Sequence, residues 1–204
     1  MSIKTKSILL IILLLIADQV SKFYIKLNFS IGDEVEVFSW FKIYFVENNG
    51  MAFGMEIIGK LFLTLFRIGA VGVLAYFIFK LIKRNARPGF ILAISVLLAG
   101  AAGNIVDSLF YGIIFSESTP YQIATLFPDG GGYAPLFYGK VVDMFFFPII
   151  TNSAGETVFF KYIFNVADSC VTVSVFIILL FFRKELNEAL ESKKDKTQTS
   201  KEEK

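Results

Sequence analysis

Asp107 closes the stretch "GNIVD" at 103–107 and Asp168 closes "FNVAD" at 164–168, each three residues after an asparagine. Both sit in or against segments apolar enough to enter a bilayer, where a carboxylate is costly and marks a functional site by default. Asp18 and Lys22 of "ADQVSK" are four apart, so on a helix they share a face and can pair as a structural ion pair. Asp143 is embedded in "GKVVDMFFF" and flanked by apolar residues. Two carboxylates brought together in a partly desolvated site cannot both ionise easily. One pKa rises, so that an acid and a base coexist near neutral pH. Such a pair can activate a water for attack on a peptide carbonyl while protonating the carbonyl oxygen or the leaving amine. The chain has no His and one cysteine, Cys170. That removes the commonest general base and zinc ligand, any cysteine metal cluster and any intramolecular disulfide, and it leaves the carboxylates, hydroxyls and lysines. Neither metal nor cofactor is expected, and Cys170 reads as packing.

These residues must be positioned by membrane helices. Of 204 residues 55% are hydrophobic, including 24 Phe, and they cluster into four runs near the 20 residues that a bilayer span requires, at 7–26, 60–82, 88–112 and 162–182. The net charge of +2 is less informative than its distribution. Lys4 and Lys6 precede the first run, Lys80, Lys83, Arg84 and Arg87 lie between the second and third, and Arg183 and Lys184 follow the fourth. The positive-inside rule then places both termini in the cytoplasm and loops 27–59 and 113–161 outside. The expected fold is an all-α membrane protein of four transmembrane helices, with a small β-rich extracytoplasmic cradle between the first two. It forms one membrane domain over 1–186, followed by a charged, disordered cytoplasmic tail over 187–204. The N-terminal run lacks a small-x-small site, so no cleavage is expected.

Within 29–55 the alternation of apolar and polar residues predicts two or three short strands, and Asn48-Asn49-Gly50 supplies a turn. "PDGGGYAP" at 128–135 must be irregular, and its glycines favour mobility. On the third helix Gly100, Gly103, Asn104 and Asp107 share a face on which small residues admit a neighbour and the polar pair bonds across. Asn165, Asp168 and Thr172 line a face of the fourth. At 1.5 Å per residue, Asp107 lies roughly 28 Å along the outward-running third helix and Asp168 about 9 Å into the inward-running fourth. The acids therefore gather near the outer face. A proton-coupled small membrane transporter is the main alternative, because buried acids also relay protons. A structural or assembly protein is another. Transporters tend to show internal repeats and midplane sites, whereas this chain has no repeat and its acids are off-centre.

"DQVSK" (18–22), "NNGMAFG" (48–54), "AGAAGNIVD" (99–107), "VVDMF" (141–145) and "FNVADS" (164–169) occur in this order. Together with the four-span layout they closely resemble lipoprotein signal peptidase, signal peptidase II, over nearly the whole chain apart from the tail. The resemblance implies an intramembrane aspartic endopeptidase of the bacterial cytoplasmic membrane. It would remove the signal peptide from prolipoproteins by cutting before a diacylglyceryl-modified cysteine. Its partners would be lipidated precursors and membrane lipids, with no nucleic acid and no cofactor. The family pattern maps the catalytic pair to Asp143 and Asp168. It maps site-shaping or substrate-binding roles to Asp18, Lys22, Asn48, Gly50, Ala52, Phe53, Asn104, Asp107, Asn165 and Ala167. Two departures stand out. Ser108 occupies a position where the family usually has Arg, so a cationic partner is missing or supplied elsewhere. An insertion over 116–139 also lengthens the second outer loop.

Overall fold

In the computed structural model, residues 1–48, 57–152, 157–159, 161–189 and 191 are described. Gly50, Ala52, Phe53 and the tail from 192 lie outside them. Helix α1 (Ile3–Asn28) starts where the Ser2 hydroxyl accepts from the Thr5 amide, a standard N-cap. It is followed by the hairpin strands β1 (Glu34–Phe38) and β2 (Phe41–Asn48), and then by α2 (Ile57–Lys83). Helix α3 (Pro88–Val106) opens with proline at its first position, where the missing N–H has no helical partner to lose. It continues into a π-helical turn, Asp107–Tyr111, and a last turn α4 (Gly112–Ile114). After the inserted segment come β3 (Val141–Phe146), β4 (Ile150–Thr151), β5 (Thr157–Phe159) and β6 (Ile163–Phe164). Helix α5 (Val166–Phe181) then bends by 91° into a short helix α6 (Arg183–Ala189).

Three helices, Ile3–Asn28, Gly59–Lys83 and Pro88–Ile114, are long and apolar enough to cross a membrane, and the bent pair α5–α6 makes a fourth if taken as one span. Helix α3 is the axis of the bundle. It packs against α1, α2 and α5, whereas α1 and α2 scarcely touch each other. The core between α2, α3 and α5 is built from Ile78, Leu81, Phe90, Ile91, Ile94, Leu98, Ile178 and Phe182. The outward faces remain apolar: Leu13, Ile16, Phe62, Phe66, Val73, Phe176 and Leu180 are all exposed. A helix apolar on every side suits lipid surroundings.

The sheet has the order β1-β2-β3-β6, antiparallel throughout, so it draws strands from both outer loops and not only from the stretch between the first two helices. Asp143 sits on the interior strand β3 opposite Val46, and Asn48 stands opposite Val141. Beneath the sheet Phe45, Val142 and Met144 bury against Ile25, Tyr111 and Phe115. The fourth apolar run begins its helix at Val166 and not at 162, because Ile163 and Phe164 pair with Phe146 and Phe145. Asp168 is therefore the third residue of α5, roughly 3 Å from its start, rather than about 9 Å in.

The insertion is folded back on the bundle. Gly132 and Gly139 press on the backbone of the third span: a Cβ at Gly132 would stand 2.0 Å from the Gly112 carbonyl oxygen, and one at Gly139 would stand 2.0 Å from that of Asp107. No other residue type fits such an approach. A buried ion network holds the same segment. Lys26 pairs with Glu47 and donates to the Ser118 hydroxyl at 2.8 Å, Lys140 reaches Glu47 at 3.4 Å, and the Lys140 amide donates to the Tyr133 hydroxyl at 2.6 Å.

Candidate active site

The start of α5 assembles the site. Asn165 is its N-cap: its side-chain oxygen accepts from the Asp168 amide at 2.9 Å, and the Asp168 carboxylate accepts from the Asn165 amide at 3.3 Å. This reciprocal capping box fixes both side chains relative to the helix start. The Asn165 side-chain amide then donates to Asp143 Oδ1 at 2.6 Å and lies within reach of the Val142 carbonyl and Asn104 Oδ1. One asparagine thus touches both acids, one supplied by a strand and the other by a helix. Asn104, from α3, donates to Asp168 Oδ1 at 2.8 Å.

A second layer lies deeper between α1 and α3. Lys22, wholly buried, pairs with Asp18 at 2.9 Å and Asp107 at 2.8 Å and donates to Asn104 Oδ1 at 2.8 Å. One ammonium holds three acceptors, which matches its three donors. Asp18 also accepts from the Ala167 amide at 2.8 Å. It therefore places a carboxylate at the electropositive end of α5, where negative charge is favoured. Asp107 accepts from the Val142 amide at 3.4 Å, joining the end of α3 to β3. The small residues of α3 permit these distances: a Cβ on Gly103 would meet Asp18 Oδ2 at 2.6 Å, and one on Gly100 would meet the Ala167 carbonyl oxygen at 2.5 Å.

Burial, reinforced by the negative charge of Asp168, pushes Asp143 up to about 7, against the opposing hydrogen bonds from Asn165 and Asn48 and the charge of Lys22. Asp143 is only 3% exposed. A neutral carboxylic acid therefore persists near pH 7 beside a second carboxyl group held by amide donors. Beside Asp168 opens a groove of about 420 Å³ lined by Tyr162, Phe164, Asp168, Ser169, Thr172 and Val173. Its surface is mostly apolar, suited to a hydrophobic chain lying against α5. Phe164 extends an aromatic stack through Phe147, at 5.6 Å, to Trp40 and Phe41 at the end of the sheet. Among the described residues no cluster of three Cys, Asp or Glu side chains has the arrangement of a metal site.

Asp18, Lys22, Asn48, Asn104, Asp107, Asp143, Asn165, Ala167 and Asp168 all meet here. Three neighbours, Gln19, Tyr111 and Arg67, were not singled out from the sequence. Gln19 donates to Asp18 at 3.0 Å and Asp107 at 2.9 Å, and accepts from Tyr111 at 3.1 Å. Gln19 lies inside the "DQVSK" stretch and was legible there as a polar residue between two charged ones. Arg67, from α2, lies within electrostatic reach of Asp168, Asp107 and Asp143. A cation reaches the acids from a different helix, while Ser108 is buried and bonds back to the Asn104 carbonyl at 3.0 Å.

The profile of the family described as signal peptidase (SPase) II matches residues 10–183. A lipoprotein signal peptidase of Porphyromonas gingivalis is 46% identical over 195 residues, covering 91% of this chain and 86% of that protein. One from Staphylococcus aureus is 34% identical over 192 residues, covering 93% of each. A bacterial membrane enzyme solved by the in meso method at 1.9 Å superposes with a TM-score of 0.61 at 28% identity, covering 86% of this chain and 91% of that one.

Proposed function

This chain belongs to the signal peptidase II family, and from that premise we propose that it is a membrane aspartic endopeptidase that cuts the signal peptide from prolipoproteins before a diacylglyceryl-modified cysteine. The observation that carries the reading is the meeting of Asp143 and Asp168 on Asn165, with Asp143 held up to about 7. In the reaction Asp168, ionised, takes a proton from a water lying between the two acids. The water oxygen attacks the scissile carbonyl carbon, and Asp143 gives its proton to the carbonyl oxygen. A gem-diol results, with the charge now on Asp143. On collapse Asp168 passes its proton to the leaving nitrogen, a gem-diol hydroxyl returns a proton to Asp143, and the C–N bond breaks. Both acids end as they began, and no cofactor is consumed.

The remaining residues serve that cycle. Asn104 and Asn165 hold the Asp168 carboxylate in place by donating to it. Lys22 offsets part of the charge of Asp18 and Asp107, which otherwise would add more repulsion to the pair. Arg67 supplies positive potential from α2 and limits the rise in negative charge as the second acid ionises. The apolar groove along α5 receives the hydrophobic stretch of the signal peptide, and the acids at the helix start meet a bond near the membrane surface. Both termini face the cytoplasm and the site opens near the outer face, in keeping with the lysine- and arginine-rich ends of α1, α2 and α5.

The test is conversion of a lipidated precursor by purified protein, read as a gel shift, with the unlipidated precursor as control. Asp143→Asn and Asp168→Asn are each expected to stop conversion. Full conversion by the Asp143→Asn protein would refute its role, and equal cleavage of the unlipidated precursor would refute the substrate assignment.

A further inference from the structure

At the end of the bundle away from the acids, α1 and α2 lean on α3 without closing on each other. The gap is a crevice of about 260 Å³. Ile8 and Ile11 form one wall, Ile78 and Phe79 the other, and Leu98 of α3 the floor. Lys4 and Lys83 stand at its mouth, both exposed, and the Lys83 ammonium lies 4.5 Å from the centre of the Phe79 ring. Ser7 contributes to the wall as well. Its hydroxyl is buried, the residue being 2% exposed, and has no hydrogen-bond partner among the described residues. An unpartnered hydroxyl in an apolar wall is unfavourable unless something arrives to bond it.

We propose that this crevice holds one anionic phospholipid from the leaflet at the lysine-bearing end. One acyl chain fills the apolar cleft, and the phosphodiester lies between Lys4 and Lys83. Ser7 lies one helical turn deeper than Lys4, roughly 4.5 Å along the axis, which is the level of a glycerol ester carbonyl when the phosphate is at the mouth. That carbonyl accepts from the Ser7 hydroxyl. The occupant is chosen by three features that agree in depth: basic side chains at the surface, one hydroxyl below them, and an apolar cleft below that. A zwitterionic lipid fits the cleft but adds a cationic headgroup beside two lysines. Basic residues at the headgroup level of a membrane protein each favour an anionic lipid by roughly five-fold. The site is separate from the acids and does not depend on the peptidase chemistry proposed for them.

The experiment is native mass spectrometry of the full chain released from detergent micelles, titrated with palmitoyl-oleoyl phosphatidylglycerol or with phosphatidylcholine of the same chains. The wild-type protein is expected to retain one phosphatidylglycerol in preference to phosphatidylcholine. The Lys4→Gln/Lys83→Gln protein should bind the anionic lipid about thirty-fold more weakly, roughly five-fold for each lysine. Ala75→Trp, at an exposed position in the crevice wall, should remove the single-lipid adduct by filling the cleft. Lys184→Gln, an exposed lysine outside the crevice, should leave binding unchanged. Equal retention of the two lipids by the wild-type protein would overturn the proposal. So would wild-type binding by the double-lysine variant, or by an Ala75→Trp protein that melts normally.

Discussion

The proposed mechanism needs Asp143 protonated and Asp168 ionised, so the alkaline limb of the pH profile should belong to Asp143. With Asp143 at about 7, roughly nine-tenths of it carries a proton at pH 6 and about one-tenth at pH 8, so kcat/KM should fall about ten-fold across that interval. The hydrogen bond from Asn48 stabilises the ionised form. Asn48→Ala removes it and should move the limb upward; for an exposed donor the move is about half to one pH unit. A limb that stays put or moves down in Asn48→Ala would refute the assignment of that limb to Asp143, whatever the variant does to overall rate. Stability gives an independent reading. The folded-state pKa lies above the ordinary 3.8, so the neutral acid suits the fold and the ionised one does not. The associated stability is complete below about pH 4, declines as pH rises towards 7 and is absent above it. Asparagine carries no charge to bury. Asp143→Asn should therefore be inactive yet melt higher than wild type at pH 8, with a ceiling of roughly 4 kcal/mol and less than half of that at pH 5. A variant that melts lower than wild type at pH 8 would mean that Asp143 is not destabilised by ionising.

Gly103→Ala would drive a methyl group to within 2.6 Å of Asp18 and 3.0 Å of the Ala167 side chain, and should cost about 1–3 kcal/mol, read as a lower melting temperature in detergent. Gly69→Ala, with nothing within 4 Å, is the control and should be neutral or slightly stabilising. Lys22→Met leaves Asp18 and Asp107 buried without their cation and should lower stability by about 3–5 kcal/mol. Adding Asp107→Asn should restore part of that, and failure to do so would argue against charge as the cause. Arg67→Gln should reduce kcat roughly ten-fold with little change in KM, because its partners in the site are the acids. A loss confined to KM would assign it to substrate binding instead.

Much of this site could be read from the chain because its polar residues stand in apolar surroundings, where each needs a partner. What could not be read was which partner each one has. "GNIVD" and "FNVAD" look like one device used twice, yet they do opposite jobs. In the second, Asn165 and Asp168 cap each other's amides and begin α5. In the first, Asn104 lies in the last turn of α3, and Asp107 falls on the π turn, where one extra residue re-aims the chain. No local propensity separates the two, because an Asn-x-x-Asp spacing fits a helix interior as well as a helix start. The strand pairing of Ile163 and Phe164 decides the matter for the second by stopping the helix from extending back to 162. It depends on β3, some twenty residues away in sequence. The placement of Asp143 was harder still, since it follows from strand register: opposite Val46, on an interior strand, it is held where Asn165 meets it. Arg67 carries no motif at all and enters only because α2 packs on α3. The two similar motifs meet for a reason that the similarity hides. One closes an outgoing helix and the other opens a returning one, so both lie at the same end of the bundle, and Asn104 can donate to Asp168 across the contact that Gly100 and Gly103 leave open.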